Sequence, residues 1–167
     1  MTLALHPPIL ETRTFVWPHE AACAASAQRL ARVPALADAF ITLDGPLGAG
    51  KTTFVRHLLR ALGVTGRIKS PTFAVLELHD AGRFGISHFD FYRFDEERGA
   101  REFDDAGFRE VFATPGLKLA EWPRRAGDVL PRPDLQVELR LIDSDQRAVQ
   151  LTALTARGRE LAAAFAE

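Results

Sequence analysis

One octapeptide constrains this chain more than any other stretch: Gly45-Pro46-Leu47-Gly48-Ala49-Gly50-Lys51-Thr52. It fits the spacing G-x-x-x-x-G-K-[ST] in full, and its flanks are the ones that spacing requires. Before it runs Ala39 to Asp44, AFITLD, a short apolar segment that reads as a buried parallel strand. After it, Phe54, Val55, Leu58, Leu59 and Leu62 recur at helical spacing from Thr52 to Leu62, and Gly63 supplies a stop. A strand, a glycine-rich turn and a helix in that order form a cradle for polyphosphate. Glycine permits the unusual dihedrals and the close approach that turn backbone N–H groups inward, and the helix dipole adds positive potential. Lys51 then neutralises phosphate oxygens and Thr52 offers a hydroxyl to Mg²⁺. Pro46 has no N–H, so it occupies a part of the loop not needed as a donor. The expected nucleotide contacts are Gly45, Leu47, Gly48, Ala49, Gly50, Lys51, Thr52 and Thr53. The chain contains no asparagine, so it lacks an N-K-x-D guanine reader, and ATP is favoured over GTP.

The rest of the chain supports an α/β architecture with a mainly parallel central sheet, a three-layer sandwich of the P-loop NTPase type, formed by residues 1–167 as one domain. Thr12 to Trp17 reads as a strand, and Pro18 opens a helical stretch that Val33-Pro34 ends. The segments 69–80 and 83–94, separated by Asp80-Ala81-Gly82, read as a hairpin or adjacent strands. Residues 96–112 read as short helix, and Leu117 to Glu121 as a further buried strand. Alternating apolar positions at Leu135, Val137, Leu139 and Leu141, a short turn, and Arg147 to Leu154 predict a C-terminal antiparallel pair. A last helix is expected over Ala156 to Glu167.

A cradle alone binds. Hydrolysis or transfer also needs a metal-side carboxylate and a group that orients the nucleophile. In a parallel sheet such acids stand at the carboxyl ends of strands. Asp90, after GISHF, and Glu121, after LKLA, meet that condition. Either acid would serve the metal or the attacking water, and the pattern does not rank them. Ser70-Pro71-Thr72 lies between the loop helix and the next strand; Pro71 keeps Ser70 out of helical geometry, and the hydroxyls are placed to sense a terminal phosphate. His88, flanked by apolar residues, reads as a hydrogen-bonded packing residue. Arg124 and Arg125 read as a solvated basic pair or as a contact for phosphate, nucleic acid or a partner.

Composition limits the alternatives. With 21 basic and 22 acidic side chains no global field recruits nucleic acid, so DNA is excluded and any RNA role is local or indirect. Cys23 is the only cysteine, which rules out an internal disulfide and a cysteine-based zinc site. No apolar run approaches a membrane span, and the first residues lack a basic lead before an apolar stretch, so a cytoplasmic protein is expected.

The markers LDGPLGAGKTTFVRHLLRALGV, KSPTF, HFDFYR, EW and VLP occur in the order of one family. Over nearly the whole chain the sequence resembles the TsaE (YjeE) family, small bacterial P-loop ATPases required for threonylcarbamoyladenosine modification of tRNA. The resemblance implies Lys51 and Thr52 on phosphate and Mg²⁺, Thr72 in a switch-like loop, Asp90 as a catalytic carboxylate, Glu121 as a metal-side acid and Trp122 near the nucleotide. It implies action with two partners, TsaD and TsaB, TsaD being the transferase that acts on adenosine 37 of tRNA. A small-molecule P-loop kinase is the alternative, although no arginine-rich lid segment is visible. A nucleotide-gated binding module with negligible turnover is a third reading.

Overall fold

The computed structural model describes residues 8–71 and 73–165. Its frame is one seven-stranded sheet with strands β1 (Glu11–Trp17), β2 (Phe40–Asp44), β3 (Leu76–Asp80), β4 (Gly85–Asp90), β5 (Leu117–Glu121), β6 (Leu135–Leu141) and β7 (Arg147–Ala153), in spatial order β1-β7-β6-β2-β5-β4-β3. The centre, β6-β2-β5-β4, is parallel. Antiparallel neighbours complete both sides: β3 pairs with β4, while β7 pairs with β6 and with β1. The expected C-terminal pair is thus a three-stranded antiparallel unit that takes in the first strand.

Five helices are described: α1 (Glu20–Ala31), α2 (Lys51–Ala61), α3 (Gly99–Asp105), α4 (Phe108–Ala113) and α5 (Ala156–Phe165). Helix α2 begins one residue earlier than its apolar repeat, at Lys51. Phe54, Val55, Leu58 and Leu59 make one fully buried stripe against the sheet. Burying a side chain such as Phe54 contributes about 1.5–3 kcal/mol. Pro18 precedes α1 without entering it, and Pro34 opens a 3₁₀ turn that leads into β2.

The inner positions of β2, β4, β5, β6 and β7 join α1, α2 and α5 in one core; Trp17 stacks there on Phe54 and Phe165. On the other face a cluster of phenylalanines, including Phe40, Phe89, Phe91, Phe103 and Phe108, packs α3 and α4 over β2, β5 and β4. That second layer stops there. Across β1, β7 and β6 the same face presents Thr12, Thr14, Gln150, Thr152, Gln136 and Glu138, polar residues at the alternate positions of each strand, which are exposed or half-buried. Helices therefore cover both faces of the parallel centre but only one face of the antiparallel flank, whose other side offers a helix little that is apolar, Val16 and Ala148 among polar residues.

The topology gathers the ends of β1, β2, β4, β5 and β6 and the start of β7 along one edge of the sheet, where Trp17, Asp44, Asp90, Glu121, Leu141 and Arg147 lie.

Candidate functional site

The loop between β2 and α2 is shaped by what its glycines allow. At Gly45 φ is +148°, and a Cβ there would stand 2.4 Å from the carbonyl oxygen of Leu139 on β6, so only glycine lets the chain leave β2 this close to its neighbour. At Gly50 φ is +105°, which turns the chain abruptly into α2. The loop carbonyls receive the lysine: Lys51 Nζ donates to Gly45 O and to Pro46 O, the latter at 2.9 Å, and stands 4.1 Å over the Trp122 ring. Burial lowers the Lys51 pKa below its ordinary value, and the carboxylates of Glu121, Asp44 and Asp90 oppose that shift.

Parallel register puts the two strand-end acids side by side, with Asp90 on β4 opposite Glu121 on β5. Each carboxylate is buried, and each has both oxygens occupied. Glu121 accepts from Thr52 Oγ1 at 2.8 Å, and its other oxygen lies 2.6 Å from His88 Nε2. Asp90 accepts from Ser70 Oγ and from the Tyr92 amide at 3.0 Å. His88 is fully buried and its Nδ1 has no partner among the described residues. A neutral ring protonated at Nε2 satisfies the Glu121 contact and leaves only an acceptor idle. The histidine expected to be a hydrogen-bonded packing residue is therefore bonded to one of the candidate acids. Trp122, just past Glu121, adopts φ +56°, an uncommon value for a non-glycine residue, and lies 5.0 Å from the Tyr92 ring.

These groups open onto one cleft of about 470 Å³. Residues 47–53, Ser70, Asp90, Glu121 and Trp122 line it, so the expected site residues converge there, with two exceptions. Gly45 lies beneath the loop, against β6, and Thr72 falls outside the described residues. Arg124 does not face the cleft; it pairs with Asp44 at 3.1 Å, and Asp44 also accepts the Gly45 amide. Arg125 donates to Tyr92 O and lies 5.1 Å from the Tyr92 ring and 5.4 Å from the Trp122 ring.

The rest of the lining has no counterpart in the sequence reading. Trp17 and Cys23 line the cleft from β1 and α1, Ser144 from the β6–β7 turn and Arg147 from the start of β7. Burial, with a smaller contribution from Glu20, pushes the Cys23 thiol up to about 12. That leaves an inert packing residue. Among the described residues no group of three or more His, Cys, Asp or Glu side chains could hold a metal by itself. A site for Mg²⁺ beside phosphate needs only one or two protein oxygens, since water and substrate supply the rest, and the Thr52–Glu121 pair fits that chemistry. No described helix is long and apolar enough to cross a membrane.

Glycines that free a loop at the carboxyl edge of a parallel sheet, with a lysine at the first turn of the helix behind it, define a P-loop-type nucleotide-binding protein. A family model, that of threonylcarbamoyl adenosine biosynthesis protein TsaE, matches residues 17–149, and the chain belongs to the TsaE family. The tRNA threonylcarbamoyladenosine biosynthesis protein TsaE of Haemophilus influenzae is 36% identical over 125 residues, which cover 75% of this chain and 77% of that protein. The protein of the same name from Bacillus subtilis is 35% identical over 114 residues, 68% and 69% of the two chains. The crystal structure of YdiB from Bacillus subtilis superposes with a TM-score of 0.73 at 27% identity, over 93% of this chain and 94% of that one.

Proposed function

We propose that the chain binds ATP with Mg²⁺ in this cleft, hydrolyses it to ADP and phosphate, and serves threonylcarbamoylation of adenosine 37 in tRNA by acting on a TsaD–TsaB complex in the cytoplasm. The observation that carries the reading is the Thr52 hydroxyl bonded to a buried strand-end carboxylate, Glu121, directly behind the glycine loop, with a second buried carboxylate, Asp90, on the adjoining strand. Membership of a family named for tRNA threonylcarbamoyladenosine biosynthesis supports the biological role.

Each residue has a task in this reading. The free amides of the loop cradle the phosphates, and Lys51 exchanges its two loop carbonyls for phosphate oxygens. Thr52 and Glu121 would hold Mg²⁺, which when bound neutralises charge developing on the terminal phosphate. Asp90 releases Ser70 and orients the attacking water, accepting its hydrogen bond as the water oxygen attacks phosphorus and the bond to ADP breaks. Trp122 flanks the phosphates beside Lys51. The remainder of the cleft, whose lining includes Trp17 and Cys23, would take the nucleoside.

The test is phosphate release from ATP by the purified chain, alone and with TsaD, TsaB and tRNA, followed by acceptor-free product analysis. The expected result is stoichiometric ADP and phosphate with no phosphorylated third product. Lys51→Ala abolishes binding, whereas Asp90→Asn keeps ATP bound and stops turnover. Normal turnover by Asp90→Asn refutes the role given to that acid, and phosphoryl transfer to a small acceptor would make the protein a kinase.

A further inference from the structure

One polar side chain in the cleft has hydrogen-bond partners only on the backbone and has no part in the chemistry above. Arg147 is the first residue of β7, opposite Trp17 on β1 and Leu141 on β6, and alternation points it to the same face as Val149 and Leu151. Its guanidinium joins two segments almost a hundred residues apart in the chain. On one side Nε donates to Ala49 O at 3.1 Å and Nη2 to Gly48 O at 3.3 Å, both in the glycine loop. On the other, Nη1 donates to the carbonyls of Asp143 and Gln146, both at 3.0 Å, with Ser144 O at 3.4 Å. That turn is itself fixed, because Asp143 Oδ1 accepts the amides of Asp145 at 2.9 Å and Gln146 at 2.8 Å.

We propose that Arg147 is a positioning residue for the phosphate loop: it straps the carbonyls of Gly48 and Ala49 to the β6–β7 turn and so fixes the direction of the amide that follows them. A trans peptide unit points its N–H opposite to its C=O. Tying down Ala49 O therefore aims the Gly50 N–H away from the guanidinium, and among the described residues that N–H has no acceptor. Glycine at 48 and 50 leaves this stretch free to rotate, with φ of +80° and +105° and nothing within 4 Å of where a Cβ would be. A loop so permissive needs an outside restraint if its donors are to be oriented before ligand arrives, since ordering them on binding would cost affinity. The planar fork suits the task because it bridges two carbonyls and the turn together, which an ammonium group cannot do.

This role rests on the phosphate-binding reading of the cleft, and the test separates the two. Wild type, Arg147→Ala and Arg147→Lys are titrated with inorganic triphosphate and with ATP, and backbone hydrogen exchange is followed in each ligand-free chain. Arg147→Ala should weaken triphosphate and ATP by the same factor, about tenfold or more, and Arg147→Lys should not restore either. Exchange across residues 47–50 should quicken in both variants while α2 keeps its protection, which also shows that the variants fold. Triphosphate affinity within about twofold of wild type in Arg147→Ala, full recovery in Arg147→Lys, or unchanged loop exchange overturns the proposal. Failure of the wild type to take up triphosphate overturns the phosphate-binding reading instead, and the exchange comparison still decides whether Arg147 restrains the loop.

Discussion

Replacing Gly45 by alanine tests the claim that the loop leaves β2 by squeezing under β6. Two separate costs arise. The first is conformational: φ of +148° is a glycine region, and a non-glycine residue held there costs about 1–3 kcal/mol. The second is steric: the new Cβ would lie 2.4 Å from Leu139 O and 3.3 Å from Leu139 C, both backbone atoms of a central strand that cannot swing aside as a side chain would. Overpacking of this kind costs about 1–3 kcal/mol more. Gly63→Ala supplies the control, because Gly63 has φ of +91° and open space where its Cβ would be, so it carries the first cost without the second. At about 2–4 °C per kcal/mol for a chain of this size, Gly45→Ala should melt roughly 4–24 °C below wild type and clearly below Gly63→Ala. Calorimetric melting of the three ligand-free proteins, with urea unfolding as a second measure, reads both. If Gly45→Ala melts at or above Gly63→Ala, β6 does not crowd the loop as described and the argument for glycine at position 45 fails.

Lys51 gives a pH dependence with opposite signs for stability and binding. Its lowered pKa means that, just below the ordinary lysine range, the unfolded chain holds a proton that the folded chain has shed, so the Lys51 contribution to stability rises with pH there. ATP affinity, which needs the cation, should fall over the same interval in calorimetric titrations of the wild type, and the stability trend should be absent from Lys51→Met in urea unfolding at the same pH values. Cys23 should resist maleimide at pH 8 in the folded chain and react at once in urea, since its thiolate forms only near pH 12; rapid labelling of folded protein would contradict its burial. His88→Leu leaves one oxygen of buried Glu121 without a donor and should cost about 1–3 kcal/mol in urea unfolding. His88→Gln, which can still donate from a similar reach, should recover most of that loss, and equal stability of the two variants would refute the assigned hydrogen bond.

What the sequence disclosed was local. The loop, the helix behind it and the acids at Asp90 and Glu121 are each specified within a few residues, by glycine spacing, a 3.6-residue apolar repeat and the abrupt end of an apolar run. The pairing of β1 with β7 joins Glu11 to Ala153 across almost the whole chain, and no local pattern announces it. With that pairing hidden, Trp17 and Arg147 read only as strand residues, although both line the cleft. The two-layer flank was closer to hand. On β6 and β7, Gln136 and Glu138, and Gln150 and Thr152, alternate with apolar neighbours, while on β1 Thr12 and Thr14 share their face with Val16, so a helix has little to bury against such a face. The alternation predicts strands correctly; the missing layer follows only once β1, β7 and β6 are known to be neighbours.

The cleft also answers how a fold can keep two carboxylates side by side with little access to water. Asp90 and Glu121 are register neighbours, and like charges so placed raise each other's cost. Donors offset it: Thr52 and His88 for one acid, Ser70 and the Tyr92 amide for the other, with the Lys51 ammonium close enough to both to act through its charge. Three of these donors, on Thr52, Ser70 and Lys51, come from side chains that phosphate or metal would claim. Lys51 is meanwhile parked on loop carbonyls. For these side chains, ligand binding of the kind proposed would be an exchange of partners, whereas free loop amides such as Gly50 N–H would gain theirs outright. The side chains' part of the affinity reflects differences between hydrogen bonds and not their sum, and His88 and the Tyr92 amide, which need not let go, keep the acids in place while the exchange occurs.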